Sequence, residues 1–126
     1  MTASNGILQA ATVIAKTTQT LVGSVIGCAG ADWLTFFFTY TKGDETGLII
    51  TPSVLRVSDG TAYPYAILTA SSGAFTITAT KLTLTGTTSS YMTFDVRGVD
   101  YMKFTQGGSN NDGTPTGTLA ASYAIK

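Results

Sequence analysis

Residues 33–42, WLTFFFTYTK, alternate with a period of two. Leu34, Phe36, Phe38 and Tyr40 fall on one side; Trp33, Thr35, Phe37, Thr39 and Thr41 fall on the other. Successive side chains of a β-strand point to opposite faces, whereas a helix repeats every 3.6 residues. The stretch is therefore a half-buried strand with an aromatic inner face. The same period returns along the chain. In AFTITATKLTLTG (74–86), Phe75, Ile77 and Ala79 share one parity, and Leu82 and Leu84 the other. The slip near Thr80 and Lys81 predicts a β-bulge or a strand break. Met92, Phe94 and Val96 alternate with Thr93 and Asp95, then Met102 and Phe104 with Tyr101 and Lys103. The last run carries Leu119, Ala121, Tyr123 and Ile125 on one face. Further strands are expected over 19–27, 47–58 and 63–70. Pro52 has no N–H to give a ladder, so it predicts a kink or an edge in its run.

Turn residues separate these runs: KGDETG (42–47), SDGTAYP (58–64), SSG (71–73), GTTSS (86–90) and GGSNNDGTPTG (107–117). The last is the longest polar, glycine-rich loop and is expected to be a mobile tip. Short strands at roughly ten-residue spacing predict a sandwich or barrel. The fold expected is all-β: a single antiparallel β-sandwich over 1–126, jelly-roll-like, with eight or nine strands. Residues 8–21 have room for a helical turn, but their threonines and valine favour a strand. Residues 1–20 are read as an extended N-terminal arm. No repeat or linker divides the chain.

Only 11% of residues are charged, about half the fraction usual in a soluble domain. Seven basic and seven acidic residues give a net charge of zero, so self-repulsion does little to keep copies apart. Lys16, Lys42, Arg56, Lys81, Arg97, Lys103 and Lys126 are scattered. Displacing phosphate counterions takes clustered cations, so nucleic acid is not an expected partner. No run approaches the ~18 apolar residues of a membrane span. The start, MTASNGILQA, has no basic segment followed by an apolar one. Neither membrane nor export is expected, and the chain is expected to be made in a cytoplasm. Cys28 is the sole cysteine, so no disulfide forms within the chain. Its surroundings, VIGCAGA, predict a buried, inert thiol.

The chain has no histidine. That excludes Ser–His–Asp and Cys–His pairing and leaves no ligand set for structural zinc. Paired carboxylates are the remaining route to catalysis. The candidates are Asp32, Asp44, Glu45, Asp59, Asp95, Asp100 and Asp112, most of them in turns beside Gly, Asn or Ser, where Asp bonds its own backbone. Asp44, Glu45 and Asp112 lack the spaced oxygen ligands of a calcium loop. GGSNNDG lacks the lysine and helix of a phosphate loop. No enzyme activity, cofactor or metal is expected. Tyr63 and Tyr65, around Pro64, have two readings: a stacking platform for a sugar or protein partner, or a strand start with one ring buried and one at the rim.

In YMTFDVRG and VDYMKFTQ, two strand runs meet at Gly98, which can adopt a φ closed to other residues. Val99 interrupts the Arg-Gly-Asp order of an adhesion loop, so Arg97 to Asp100 are read as a structural corner. Asp95 and Arg97 share one strand face, where a cross-strand partner would pair either. Phe94, Asp95, Val96, Arg97, Gly98 and Asp100, followed by Gly117, Thr118, Tyr123 and Ile125, resemble the ending of small tailed-phage virion proteins with β-sandwich or jelly-roll folds. The resemblance covers the last third of the chain.

That resemblance implies a capsid decoration, or cement, protein on the capsid surface of a virion. Its partner would be the major capsid protein of a phage. It would form a homo-oligomer, a trimer being favoured, and bridge neighbouring capsid subunits through many weak contacts. The N-terminal arm would lie on the shell or add a strand to a neighbour, so that deleting residues 2–12 would abolish capsid binding and leave the fold intact. The partner-binding residues expected are Thr2, Ile7, Leu8, Tyr63, Tyr65, Asn110 and Asn111. Two other functions stay open. One is a tail-fibre or adhesin-type glycan-binding module using Trp33, Tyr63, Tyr65 and the 107–117 loop. The other is a tail-tube or head-completion protein; these carry long inserted hairpins, and the sequence has no hairpin signal of that length. Too few charges guard the strand edges, which favours assembly over a solitary role.

Overall fold

The computed structural model describes residues 4–16, 18–71, 73–109 and 114–126. All regular structure among them is strand: β1 (Ser4–Val13), β2 (Thr20–Leu21), β3 (Ile26–Gly27), β4 (Trp33–Thr41), β5 (Leu48–Leu55), β6 (Tyr63–Pro64), β7 (Ala66–Ser71), β8 (Ala74–Ala79), β9 (Leu82–Leu84), β10 (Thr88–Asp95), β11 (Tyr101–Gly108) and β12 (Thr118–Ile125). One sheet has the order β1-β12-β4-β10. In the other, β11 and β5 form the centre, with β2 and β3 beside β11, and β6 and β9 beside β5. Every pairing is antiparallel.

The pairs are nested. β1 meets β12, β2 and β3 meet β11, β4 meets β10, and β5 meets β6 and β9. This is one long antiparallel hairpin folded over into two sheets, a jelly-roll-like winding. Eight strand positions make the sandwich, as the sequence pattern predicts. The segments number twelve because two edge positions are each split in two and a hairpin is inserted.

The inner faces follow the alternation. Leu34, Phe36, Phe38 and Tyr40 of β4 are buried, as are Met102 and Phe104 of β11 and Leu119, Ala121 and Ile125 of β12. Phe36 and Phe104 stack across the two sheets, ring centres 4.1 Å apart. Each such side chain contributes about 1.5–3 kcal/mol by leaving water. The strand run from 74 breaks where its parity slips. β8 ends at Ala79 and pairs with β7; β9 starts at Leu82 and pairs with β5.

Pro52 explains the broken edge beside β5. Its neighbour on β11 is Phe104, and its carbonyl accepts from Tyr65 N on the opposite side. In an antiparallel strand the N–H and C=O of a residue face the same neighbour. The missing N–H of Pro52 is therefore missing on the β6/β9 side. There β6 pairs with Ser53 and Val54, β9 with Leu48 to Ile50, and the β7–β8 hairpin leaves through the gap between them. Of the kink or edge that Pro52 predicts, the edge is not found: β5 is a central strand, and the break falls on its partner.

Two further expectations need correction. The N-terminal segment is extended but is not a free arm over Ser4–Val13: it is an edge strand paired along β12 from Ile125 to Thr118. Leu8 reaches the core from it, so removing 4–13 would uncover the sandwich. Gly107 and Gly108, expected in the last loop, belong to β11 and pair with Ile49 and Leu48.

Candidate interaction surface

The corner between β10 and β11 carries the chain from one sheet to the other. Val99 N donates to Val96 O at 2.9 Å, and Gly98 closes the turn at φ +79°, where L side chains are strained. Asp95 and Arg97 pair with each other, not with a cross-strand partner. The guanidinium donates from Nε to Oδ1 at 2.9 Å and from Nη2 to Oδ2 at 2.6 Å. This Arg97 contact, with its amide bond, holds the Asp95 carboxyl down at about 2. The same guanidinium lies 5.6 Å from the Trp33 ring centre, so a cation already covers one face of that ring.

The sequence-predicted contact residues do not gather at one place. Thr2 and residues 110–113, which include Asn110, Asn111 and the middle of the expected mobile tip, lie outside the described residues. Ile7 stands 83% exposed on β1, while Leu8 beside it turns inward. Tyr63 is exposed at the rim. The Tyr65 ring meets Phe94 edge-on at 5.0 Å, and its hydroxyl donates to Asp95 O at 3.0 Å. Tyr65 is thus the packed ring of the pair and Tyr63 the rim ring.

A different surface emerges on the outer face of the β1-β12-β4-β10 sheet. Ile7 lies opposite Ser122, Ser122 opposite Phe37, and Phe37 opposite Tyr91. One row therefore crosses all four strands. Phe37 is 42% and Tyr91 64% exposed, with ring centres 6.1 Å apart. Hydroxyl pairs flank the row: Thr35 with Thr93 at 3.0 Å and Thr39 with Ser89 at 3.1 Å. A shallow groove of about 520 Å³ runs past Ile7, Gln9, Phe37, Thr39 and Ser89. Asp95 is the only charged residue on these four strands, and Arg97 neutralises it. The sequence names every residue of this face, but only the strand order places Ile7 and Tyr91 in one row.

Besides Asp95, one candidate carboxylate is held in place by surrounding donors. Glu45 is buried. It accepts from the Tyr40 hydroxyl at 2.6 Å, Gly43 N at 2.7 Å, Thr116 N at 3.1 Å and Gly117 N at 2.8 Å. Burial works to raise its pKa; the Tyr40 hydroxyl and the amides of Gly43, Gly117 and Glu45 outweigh it and hold the carboxyl at about 2. Among the described residues, no three Cys, Asp or Glu side chains gather as metal ligands. Cys28 is buried and free, its Sγ 3.5 Å from Val99 O. Burial, and then Asp100, push its thiol up to about 11.

No protein-family model matches the chain, and no curated protein matches it. Solved structures do. The SPBc2 prophage-derived protein YomS superposes with a TM-score of 0.59 and 14% identity, over 98% of this chain and 92% of YomS. A chain in the structure of infectious bursal disease virus, Gx strain, superposes with a TM-score of 0.51 and 13% identity. That match takes 98% of this chain but only 31% of the viral one. At such identities the likeness is one of fold: the whole sandwich, not a fragment, recurs in both.

Proposed function

We propose that this chain is a non-enzymatic virion structural protein that decorates a phage capsid and stabilises it by bridging neighbouring capsid subunits. The observation that carries the reading is the outer face of the β1-β12-β4-β10 sheet: nearly free of charge, edged with hydroxyls and crossed by exposed Ile7, Phe37 and Tyr91. Apolar surface of this kind, rimmed by polar groups, marks a docking site. A face without charge contributes no like-charge penalty against a shell and gains by burying its aromatic row. The fold likeness to a prophage-derived protein and to a virus structure supports the same reading.

Ile7 on the edge strand acts here as part of a rigid face, not as part of a detachable arm. Weak individual contacts suffice when many copies sit on one shell. The test is reconstitution. Shells lacking the protein are mixed with the purified chain, and bound copies are counted by quantitative mass spectrometry against the major shell protein. Hundreds of copies per shell are expected, and Phe37→Asp should reduce them about tenfold or more. A chain that leaves shells bare would retire the reading.

A glycan-binding module remains the second reading, on one observation. Tyr63, Arg56, Asp100 and Thr61 line a recess of about 450 Å³ on the other sheet. Trp33 and Tyr65, expected to serve it, are engaged by Arg97 and by Phe94 and Asp95. Glycan-array binding lost in Tyr63→Ala would favour this reading over decoration. The β7–β8 hairpin, whose strands and SSG turn the sequence predicts but whose insertion between β6 and β9 it does not, is the feature that a tail-tube or head-completion role would use.

A further inference from the structure

A β-sandwich of two open sheets has four edges, and an edge left flat and neutral is a template for another strand. Three of the four are blunted here. β1 carries two register shifts, between Ile7 and Gln9 and between Gln9 and Thr12. The edge beside β11 is broken into β2 and β3, with Gly23 at φ +65° between them. The edge beside β5 is broken into β6 and β9 opposite Pro52. The fourth edge, β10, is continuous: all eight residues from Thr88 to Asp95 pair in unbroken register with β4. It contains no lysine, proline or bulge, and no charge before Asp95. Among the described residues no strand pairs with its far side.

The direction of its backbone groups is fixed by two bonds. Val96 N donates to Asp32 O, on the β4 side. Asp95 O accepts from the Tyr65 hydroxyl, on the far side. Antiparallel strands alternate in this respect, so Ser89, Tyr91 and Thr93 turn their N–H and C=O groups outward. Ser89 and Tyr91 are exposed, and so is Thr93.

We propose that β10 is the contact edge of a two-fold dimer, pairing antiparallel with β10 of a second copy about Tyr91. In this register Tyr91 faces its own equivalent, and Ser89 faces Thr93. Every outward donor meets an outward acceptor, giving about six backbone hydrogen bonds. A two-fold contact must be self-complementary, and this edge is. Asp95, whose carbonyl Tyr65 already occupies, stays beyond the paired segment, so no like charges meet. The aromatic row gains by it: Ile7, Ser122, Phe37 and Tyr91 continue through the axis into the same four residues of the second copy. Cross-strand tyrosines and Ser–Thr pairs stabilise such a junction. The bulges of β1 put its outward groups out of step, which disfavours pairing β1 of one copy with β10 of the next. The result is a closed dimer with one eight-stranded sheet in place of the trimer implied by the sequence resemblance. It does not rest on a virion role.

The test uses the full chain in solution. Sedimentation equilibrium from about 1 to 100 µM should give a species of about 26 kDa, twice the 13.1 kDa of one chain. Tyr91→Lys, which sets two cations face to face on an exposed position, should weaken it about tenfold or more. Tyr91→Cys should cross-link on oxidation, because facing residues of a hydrogen-bonded pair lie about 5.5 Å apart, within disulfide reach. Ile7→Cys, on the other edge, should not. Amide exchange on the unaltered chain should show Ser89, Tyr91 and Thr93 protected at high concentration, a readout that survives if a variant fails to fold. A monomer throughout the range, a trimer, or protection that appears only when shells are added would each overturn the dimer.

Discussion

The Glu45 carboxylate accepts a 2.6 Å hydrogen bond from the hydroxyl of Tyr40, on the strand just before it. The same carboxylate gathers Thr116 N and Gly117 N from 71 and 72 residues further on. One buried charge thus ties the β4–β5 loop to the start of β12. A buried carboxylate is costly unless hydrogen-bonded donors surround it, and four do so here.

Glu45→Ala should therefore be among the most damaging single changes to stability. It leaves the Tyr40 hydroxyl and three amides without their acceptor, at about 1–3 kcal/mol for each that water cannot reach. Chemical denaturation should show a loss of roughly 3 kcal/mol or more, and Tyr40→Phe a smaller loss of about 1–2 kcal/mol. A Glu45→Ala chain as stable as the parent would contradict the role assigned to this carboxylate.

The pH dependence has a definite sign at each end. Glu45 ionises near 2 when folded and at its ordinary 4.5 when unfolded. Its contribution is complete above 4.5 and is lost as pH falls toward 2. Cys28 and Tyr40 move the other way, chiefly through burial, Cys28 from 9.0 to about 11. Their contribution is complete below 9 and is lost as pH rises through the folded value. Denaturation midpoints should be flat between about 5 and 9 and fall on both sides. In Glu45→Gln the acid limb should become shallower, and an unchanged limb would assign acid sensitivity to other groups.

Cys28 should be inert in the native protein. A buried thiol with a raised pKa is almost wholly protonated at neutral pH. A thiol-specific dye should label it only as the chain unfolds, at the unfolding rate. Rapid labelling of the folded protein would mean that Cys28 is reachable.

Two glycines should respond differently to alanine. Gly98 has a positive φ and open space around it, so Gly98→Ala should cost only the backbone strain, about 1–2 kcal/mol. A side chain at Gly117 would run into Glu45 Oε2 and sit 2.8 Å from Thr41 O. Gly117→Ala should cost more, with the loss falling mainly on the Glu45 cluster. Equal losses at the two sites would mean that the cluster yields to make room.

The fold was legible wherever one residue in two faces the core. Phe36, Phe38 and Tyr40 declare β4 without help, and the parity slip at Thr80 and Lys81 locates a true break. β1 was harder: SNGILQAATV has no steady alternation because two bulges shift its register, and it reads as an arm. Glu45 looked like a turn residue beside Gly43 and Asp44, since its partners at Thr116 and Gly117 are remote in sequence. Pro52 was legible as a disruption but not as to which strand would bear it. The outer aromatic row had no sequence signal of its own, because Ile7, Phe37, Tyr91 and Ser122 meet only through the order of four strands.

The gap opposite Pro52 makes the β7–β8 hairpin replaceable in principle. Thr80 N donates to Tyr65 O at 2.7 Å, so the chain leaves and returns at one point. That bond is the same one that closes a four-residue β-turn. Swapping residues 66–79 for Asn-Gly should therefore leave both sheets in place, with the melting transition still cooperative; a broad, non-cooperative transition would show that the hairpin is needed. The sandwich thus behaves as a chassis with a socket. What is plugged in at Tyr65 and Thr80 can change in length and chemistry while the core aromatics, the Glu45 cluster and the β10 edge stay as they are.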